Sequence, residues 1–529
     1  MPTQRFGVLA LAVVVLVCGY SFCQTSSRPA TADLREIRVN AGKVRGTIRS
    51  FQGVNGVPTP IMDGLPNLVQ QYKDLRIDVI RTHDTMGPTD ISAHFSTDNA
   101  LLAWLVPDAA QRAKLVEAGN AAALFPDWNA DPEKPESYNF GPTDKVIEGI
   151  RATGAQVYYR IGRSWGADYT ELPDLDKFAA VVKHVAMHYD QGWDHGYQNA
   201  VRYWEFWNEE DTPFFWTDTP ESFYQLYEKT ARALKAVDLS LQVGADAKAF
   251  AYDGGPYREG FMDYCSAHKV PLDFYSWHHY TISSADPYDF TRIGQEIRKI
   301  LDAHGFTKAT SVLSEWNLTP DFTEPEKARL QGAVNAAFIG DVLIYLQDAP
   351  VDMAQFYRAD AAWMGLFGLK GEYFKPAYTF VAAGKMLATP ERLELSGADT
   401  IGLAALAGVS KDRKTVQILI SNYEIPANYQ PRPMLPPQGA FPKNVPIPDF
   451  SKLKSLPPRT DIHYKANLGF HLVVEDLPWG KGPFTVERYR LTATDDLTPA
   501  RETSATGGKF DLSEELPPPG VELVVLKSK

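Results

Sequence analysis

The sequence predicts an α/β protein, a (β/α)8 TIM barrel with an accessory C-terminal β-sandwich domain. From about residue 51 to residue 387, short β-rich runs alternate with longer amphipathic or alanine-rich runs, the pattern of βα units around a parallel sheet. Eight such strand runs can be traced, the number that closes a barrel. Residues 388–529 change texture to short alternating strands, which predicts a sandwich.

The segments follow in chain order. Arg5 precedes an apolar run from Phe6 to Val17, with small and polar residues after it, so residues 1–23 are expected to be a signal peptide. The run is too short to span a bilayer comfortably. The expected product is exported, periplasmic or extracellular; a lipid anchor is disfavoured because Val17 precedes Cys18 and Phe22 precedes Cys23. Loss of those two cysteines leaves Cys265 alone, a packing residue with no disulfide partner. Residues 24–50 hold Glu36–Val39 and Val44–Ile48, expected as a hairpin that joins the sandwich and ties the two chain ends together. Barrel strands are expected at Phe51–Val54, Val79–Thr82, Gln156–Ile161, Tyr203–Phe206, Gln242–Ala245, Phe274–Trp277, Ser311–Leu313 and Met353–Tyr357. Helices with apolar residues at i, i+3, i+4 are expected at Phe178–Tyr189, Glu221–Ala236, Gly294–Ala303 and Glu326–Gln347. An insertion from Asp98 to Tyr138 follows the second strand and is expected to wall one side of the site. Sandwich strands are expected at Thr415–Ser421, His471–Glu475, Phe484–Thr492 and Val521–Leu526. Between residues 426 and 458 ten positions are proline, which forbids regular helix and leaves a stiff loop over the surface or the substrate.

Composition narrows the function classes. Hydrophobic residues at 44% and charged residues at 22% are near globular averages and exclude a disordered chain. A net charge of −12 gives no general attraction for nucleic acid or anionic lipid, so neutral partners fit better. Eleven tryptophans suit both core packing and the apolar faces of sugar rings.

Barrel enzymes carry their catalytic groups at the C-terminal ends of strands. The fourth strand ends Trp204-Glu205-Phe206-Trp207-Asn208-Glu209-Glu210, and the seventh ends Ser314-Glu315-Trp316-Asn317. That arrangement places Glu209 and Glu315 across one barrel mouth. Glycosidic cleavage needs such a pair, one carboxylic acid for the leaving oxygen and one carboxylate at the anomeric carbon. Glu205 is expected to be a buried structural carboxylate, and Glu210 a solvated loop residue.

The chain resembles glycoside hydrolase family 39, a clan A family of retaining glycosidases that includes β-xylosidases and α-L-iduronidases. The resemblance rests on Arg81-Thr82-His83 after strand two, on Asp273-Phe274-Tyr275-Ser276-Trp277-His278-His279-Tyr280 on strand six, and on the two glutamate motifs. It implies Glu209 as acid/base, Glu315 as nucleophile, and Asn208 as a partner of the sugar 2-hydroxyl. Arg81 and Tyr280 would keep the nucleophile ionised, and Trp207 and Trp277 would raise the acid's pKa. His83 and His278 would bind substrate hydroxyls or orient the carboxylates. Trp165, Trp216, Trp316 and Trp363 are platforms for sugar or ordinary packing. Departures from the family pattern sit at Asp84 after the strand-two histidine and at Tyr357-Arg358-Ala359-Asp360 on strand eight. Arg163 or Arg358 would either grip a uronate or pair with Asp84 or Asp360.

The expected activity is a two-glutamate, retaining hydrolysis of a polysaccharide or oligosaccharide, β-xylosidase-like by default. An endo-acting exopolysaccharide hydrolase, a uronic-acid or arabinoside-specific enzyme, and a carbohydrate-binding protein without turnover are the alternatives. The expected partner is a carbohydrate, with no nucleic acid and no membrane span. No cofactor is expected, and no metal, because His278 and His279 are adjacent on a strand and point to opposite faces.

Overall fold

The computed structural model describes residues 34–529 apart from 62–63, 100–101, 104–105, 165–173, 282–283, 320–323, 428–453, 455, 461 and 463–466. The expected signal segment and most of the proline-rich loop lie outside the described residues. Among the described residues, no helix is long and apolar enough to cross a membrane.

Eight parallel strands close the barrel in chain order: β2 (Gly53–Asn55), β3 (Val79–Thr82), β4 (Gln156–Ile161), β5 (Val201–Phe206), β6 (Gln242–Lys248), β7 (Phe274–Tyr280), β8 (Thr310–Asn317) and β9 (Met353–Phe356). The ring shuts where Gly53 and Val54 pair with Gln355 and Phe356. Alternation along each strand separates two layers. Val79, Tyr158, Phe274 and Val312, with Tyr203 and Met353, fill the barrel interior. Their neighbours Ile80, Tyr159, Trp204, Tyr275 and Leu313 face outward into the large core under the helices. Two residues beyond that interior layer come Arg81, Arg160 and Glu205, so the polar site begins where the apolar filling stops.

Local signals set the outer helices. Asp174 accepts hydrogen bonds from Asp176 N and Lys177 N, both at 3.0 Å, and starts the helix Leu175–Gln191, which ends on left-handed Gly192. Thr219 accepts from Ser222 N, and Pro220 occupies the first turn of Pro220–Val237. The run expected as one helix over 326–347 is two, Glu324–Gln331 and Ala333–Tyr345. The break falls at Gly332, whose extended backbone brings a would-be Cβ within 2.6 Å of the Ala328 carbonyl. The second of these helices is buried along its length apart from Val334, with Asn335 and Asp341 as buried polar residues among its apolar side chains.

The remaining strands, one from the N-terminal side of the barrel and eight from the C-terminal side, form one nine-stranded sheet. They are β1 (Arg35–Thr47), β10 (Glu391–Ser396), β11 (Leu403–Val409), β12 (Thr415–Asn422), β13 (Gly469–Glu475), β14 (Pro483–Leu491), β15 (Asp496–Thr506), β16 (Phe510–Glu515) and β17 (Gly520–Ser528), in the order β15-β14-β17-β12-β11-β10-β1-β13-β16. The sheet doubles over on itself to make its sandwich. Phe470 and Leu472 near one end of the order share a core with Phe484 and Val486 near the other. Arg488 and Arg490 on β14 pair with Glu514 on β16 at 2.7 and 3.0 Å. The N-terminal residues expected as a hairpin are instead the single strand β1, antiparallel to β10 and parallel to β13. An irregularity between Asn40 and Val44 absorbs the Ala41-Gly42-Lys43 segment that the sequence suggested as a turn.

Alternation also joins the two domains. On β12 and β17, Ile418, Ile420, Val524 and Leu526 face the sandwich core, while Leu419, Val521, Leu523 and Val525 belong to the barrel's core. They meet the buried helix Ala333–Tyr345, where Ser421 Oγ donates to the Ala337 carbonyl at 2.8 Å. Gly340 permits this approach, since a Cβ there would lie 2.7 Å from Ser421 Oγ.

Candidate active site

Arg81 organises the barrel mouth. Fully buried at the end of β3, it donates from Nε to Glu205, from Nη1 to Asn55 Oδ1 and Glu315 Oε2, both at 3.1 Å, and from Nη2 to Asn208 Oδ1 at 2.8 Å. Burial opposes its charge, but Glu205 and Glu315 outweigh burial and raise its pKa. Glu205 also accepts from the Tyr158 hydroxyl at 3.2 Å, inside the barrel as expected. Asn55, which the sequence did not single out, is tied by Nδ2 to the carbonyls of Ser314 and Gln355.

Glu315 receives a second donor, the Tyr280 hydroxyl, at 2.6 Å from Oε1. Glu209 lies opposite, with Oε1 2.9 Å from His278 Nδ1. Ligand atoms of Glu209, His278 and Glu315 all fall within 4.8 Å of one another. Such a trio has a spacing that a divalent ion can bridge. Here the Arg81 guanidinium sits on Glu315, and a ring nitrogen of His278 is engaged with Glu209.

The backbone sets the direction of Glu209. Trp207 and Glu209 adopt φ values of 68° and 45°, the left-handed region that L residues avoid without support. Support comes from Trp207 N to Ile161 O at 2.8 Å, Trp207 Nε1 to Phe215 O at 2.7 Å, and Glu209 N to Ala247 O at 3.1 Å.

Electrostatics separates the two glutamates. Burial, then Glu315, then Asp211 push Glu209 well above the usual carboxylate range. Burial also raises Glu315, to about 7, but Arg81 and the Tyr280 hydroxyl pull the other way. One proton therefore belongs on Glu209 while Glu315 is the first to ionise. His278 and His83 are buried beside Arg81 and held neutral, first by burial and then by its charge.

Other candidates fall in several places. His83 Nε2 stands 3.7 Å from Glu315 Oε2 and 3.5 Å from Asp84 Oδ1. Arg358 makes a two-pronged pair with Asp360 and lies 3.2 Å from the Tyr357 hydroxyl, which donates to Asp84 Oδ2 at 2.8 Å. Arg163 reaches Ser92 Oγ at 3.2 Å. Trp165 lies outside the described residues. Trp316 is not at the mouth: it is fully buried behind β8 between Phe290 and Phe356. Trp277 likewise faces outward and donates to Ser311 Oγ at 3.0 Å, so it does not surround Glu209. Trp216 packs on Trp207 and Phe223, and Trp363 carries Lys327 over its ring. Glu210 is not solvated but 1% exposed, turned back toward β6 by the left-handed residue before it.

Comparison with known proteins agrees with this geometry. The family description "Glycosyl hydrolases family 39" matches residues 149–360, which run from before β4 past the end of β9. A β-xylosidase of Geobacillus stearothermophilus is 26% identical over 251 residues, 42% of this chain and 48% of that protein. A β-xylosidase of Caldicellulosiruptor saccharolyticus is 25% identical over 330 residues, 55% of this chain and 64% of that one. The chain thus spans about half to two thirds of the curated relatives it matches. The solved glucosidase from Croceicoccus marinus superposes with a TM-score of 0.79 at 33% identity, covering 94% of this chain and 99% of that one. With a likeness that runs through both domains and a matching barrel, the chain belongs to glycosyl hydrolase family 39.

Proposed function

We propose that the protein is a retaining glycoside hydrolase that works through Glu209 and Glu315. The observation that carries this reading is the approach of the two carboxyls, with oxygens within 4.8 Å. Retention needs carboxyl groups about 5–5.5 Å apart, whereas inversion leaves about 6.5–9.5 Å for a water between them. In the first step, Glu315 attacks the anomeric carbon while Glu209 gives its proton to the departing glycosidic oxygen. A glycosyl ester on Glu315 results. In the second step, Glu209, now a carboxylate, takes a proton from water as that water attacks the anomeric carbon and Glu315 leaves. The Asn208 amide, whose oxygen is held by Arg81, keeps its nitrogen as the donor for a substrate hydroxyl.

The glycone is proposed to be neutral. Arg358, the candidate for holding a uronate, is already matched by Asp360 and stands 3.8 Å from Asp84, so two carboxylates surround one cation. β-Xylosidases among the relatives favour xylose, and the glucosidase match favours glucose. Export, read from residues 1–23, belongs to the same proposal. A panel of aryl β-xyloside, β-glucoside, α-arabinoside and β-glucuronide tests it. Turnover of a neutral glycoside and none of the glucuronide is the expected result; turnover of the glucuronide alone overturns neutrality, and no turnover with retained binding favours a lectin-like role.

Glu209→Ala separates the steps. It lowers kcat on glycosides with poor leaving groups about 10²–10⁴-fold, the worth of a positioned general acid. A 2,4-dinitrophenyl glycoside, which leaves without a proton, loses far less in glycosylation. For the wild type, kcat/KM is bell-shaped: the acid limb is protonation of Glu315 and the alkaline limb is ionisation of Glu209. The variant keeps the acid limb and loses the alkaline one, as initial rates across pH will record.

A further inference from the structure

Across the barrel mouth from Glu209 stands a carboxylate that the two chemical steps do not use. Glu209 is held from β6 and β7, by Ala247 and His278, whereas Asp84 lies past the end of β3 beside the residues that follow β9. Asp84 takes φ of 54°, a left-handed conformation that an aspartate accepts more readily than most side chains. It breaks the alternation that would send neighbouring side chains to opposite faces, and His83 and Asp84 both reach the mouth. There His83 Nε2 lies between two carboxyls, 3.5 Å from Asp84 Oδ1 and 3.7 Å from Glu315 Oε2, longer than an ordinary hydrogen bond to either. The Tyr357 hydroxyl holds Asp84 Oδ2 at 2.8 Å from the other side and itself accepts from Arg358 Nη1 at 3.2 Å. Arg358 in turn spends Nε and Nη2 on Asp360. The Asp84 side chain is 9% exposed and that of Glu315 8%, so a molecule that reaches the nucleophile also meets Asp84.

We propose that Asp84 is the residue that determines glycone specificity: its carboxylate accepts hydrogen bonds from the sugar hydroxyls at C3 and C4 and repels a glycone that bears a carboxylate of its own. This rests on the hydrolase reading and assigns a glycone contact within that site. With the anomeric carbon over Glu315 and the leaving oxygen toward Glu209, the ring extends toward the opposite arc of the mouth, where Asp84 stands. C4 is the ring carbon opposite the anomeric one, and C3 is its neighbour. A carboxylate offers about four acceptor positions and no donor, so sugar hydroxyls join the Tyr357 bond on it. Such bonds are charge-assisted and stronger than those between neutral groups. A uronate carboxylate brings no donor and adds a like charge in a site nearly closed to water, while Arg358, the neighbouring cation, is already held by Asp360. Selection against the acidic sugar therefore comes from a repulsive group as well as from the attraction for hydroxyls.

The test takes the full chain and the aryl glycoside that the wild type prefers, with its 3-deoxy and 4-deoxy analogues. In the wild type at least one deoxy analogue is expected to lose about 10–100-fold in kcat/KM, the range of a hydrogen bond to a charged group. Asp84→Gly suits the left-handed backbone, so it removes the carboxylate without straining the turn. It should lower kcat/KM on the parent glycoside by a similar factor and all but abolish the deoxy penalty. Asp84→Asn keeps an acceptor for Tyr357 and loses the charge. It should tighten inhibition by glucuronate, relative to glucose, by about 10-fold or more, since like charges juxtaposed away from water are costly. A deoxy penalty as large in Asp84→Gly as in the wild type, no deoxy penalty in either, or an unchanged glucuronate-to-glucose ratio overturns the proposal. Should Asp84→Gly not fold, the ratio in Asp84→Asn decides alone. If the wild type cleaves no glycoside, the hydrolase reading fails, and calorimetric titration with glucose, xylose and their 4-deoxy analogues judges Asp84 separately: a deoxy penalty lost in Asp84→Gly supports it, and unchanged affinities or no binding overturn it.

Discussion

Glu315→Gln is expected to lose turnover by about 10⁴-fold or more, the scale on which removal of a nucleophile acts, and yet to be no less stable than the wild type at pH 7. Both effects have one origin. Burial raises Glu315 to about 7, so its charge is unwelcome in the fold. A raised folded pKa means stability that is lost as pH climbs, and glutamine removes that loss. The side chain still fits its partners. Its oxygen accepts from Arg81 Nη1, and its amide donates to the Tyr280 hydroxyl, which turns to accept. Steady-state kinetics and Tm measured between pH 4.5 and pH 8 check both halves. The stability difference should shrink toward pH 4.5, where the folded carboxyl is protonated and the unfolded one is about half protonated. A destabilised glutamine variant would mean that the charge, not its removal, supports the site.

Arg81→Met is expected to destabilise the protein by about 3–5 kcal/mol, because it leaves Glu205 and Glu315 buried without their cation. Chemical denaturation will show it, and the deficit should narrow as pH falls and Glu315 takes up a proton. Arg81→Lys recovers the charge but not the fork that reaches Glu205, Asn55, Glu315 and Asn208 together, so it recovers only part of the stability. Adding Glu205→Gln to Arg81→Met should return more stability than it costs in the wild type, the signature of a coupled pair.

Much of this site was legible because strand alternation and chemistry coincide. Val79–Thr82 and Gln156–Ile161 were read with their observed ends, since β-branched and aromatic runs bounded by helical pattern leave little freedom. Arg81, Glu205, His278 and Tyr280 point inward by simple parity. Trp316 did not yield to the same reading. Regular alternation from interior Val312 would send residues 314 and 316 inward, but the β7–β8 register slips so that His278 pairs with Glu315. The slip turns Glu315 into the mouth and Trp316 into the helix layer, and a local sequence carries no sign of it. Glu210 was misplaced for a related reason. Its orientation depends on a left-handed residue that is not glycine, and propensity gives no warning of one. Gly332 did carry a warning, a poor helix former inside a long helical run.

The helix Ala333–Tyr345 also bears on domain exchange. A segment buried on every side, its two polar residues Asn335 and Asp341 included, presents no face to water, and part of its wall is made by strands much later in the chain, where Ser421 bonds Ala337 across 84 positions. Exchange of the trailing sheet would therefore uncover this helix unless the replacement offered a matching apolar wall and a donor for the Ala337 carbonyl.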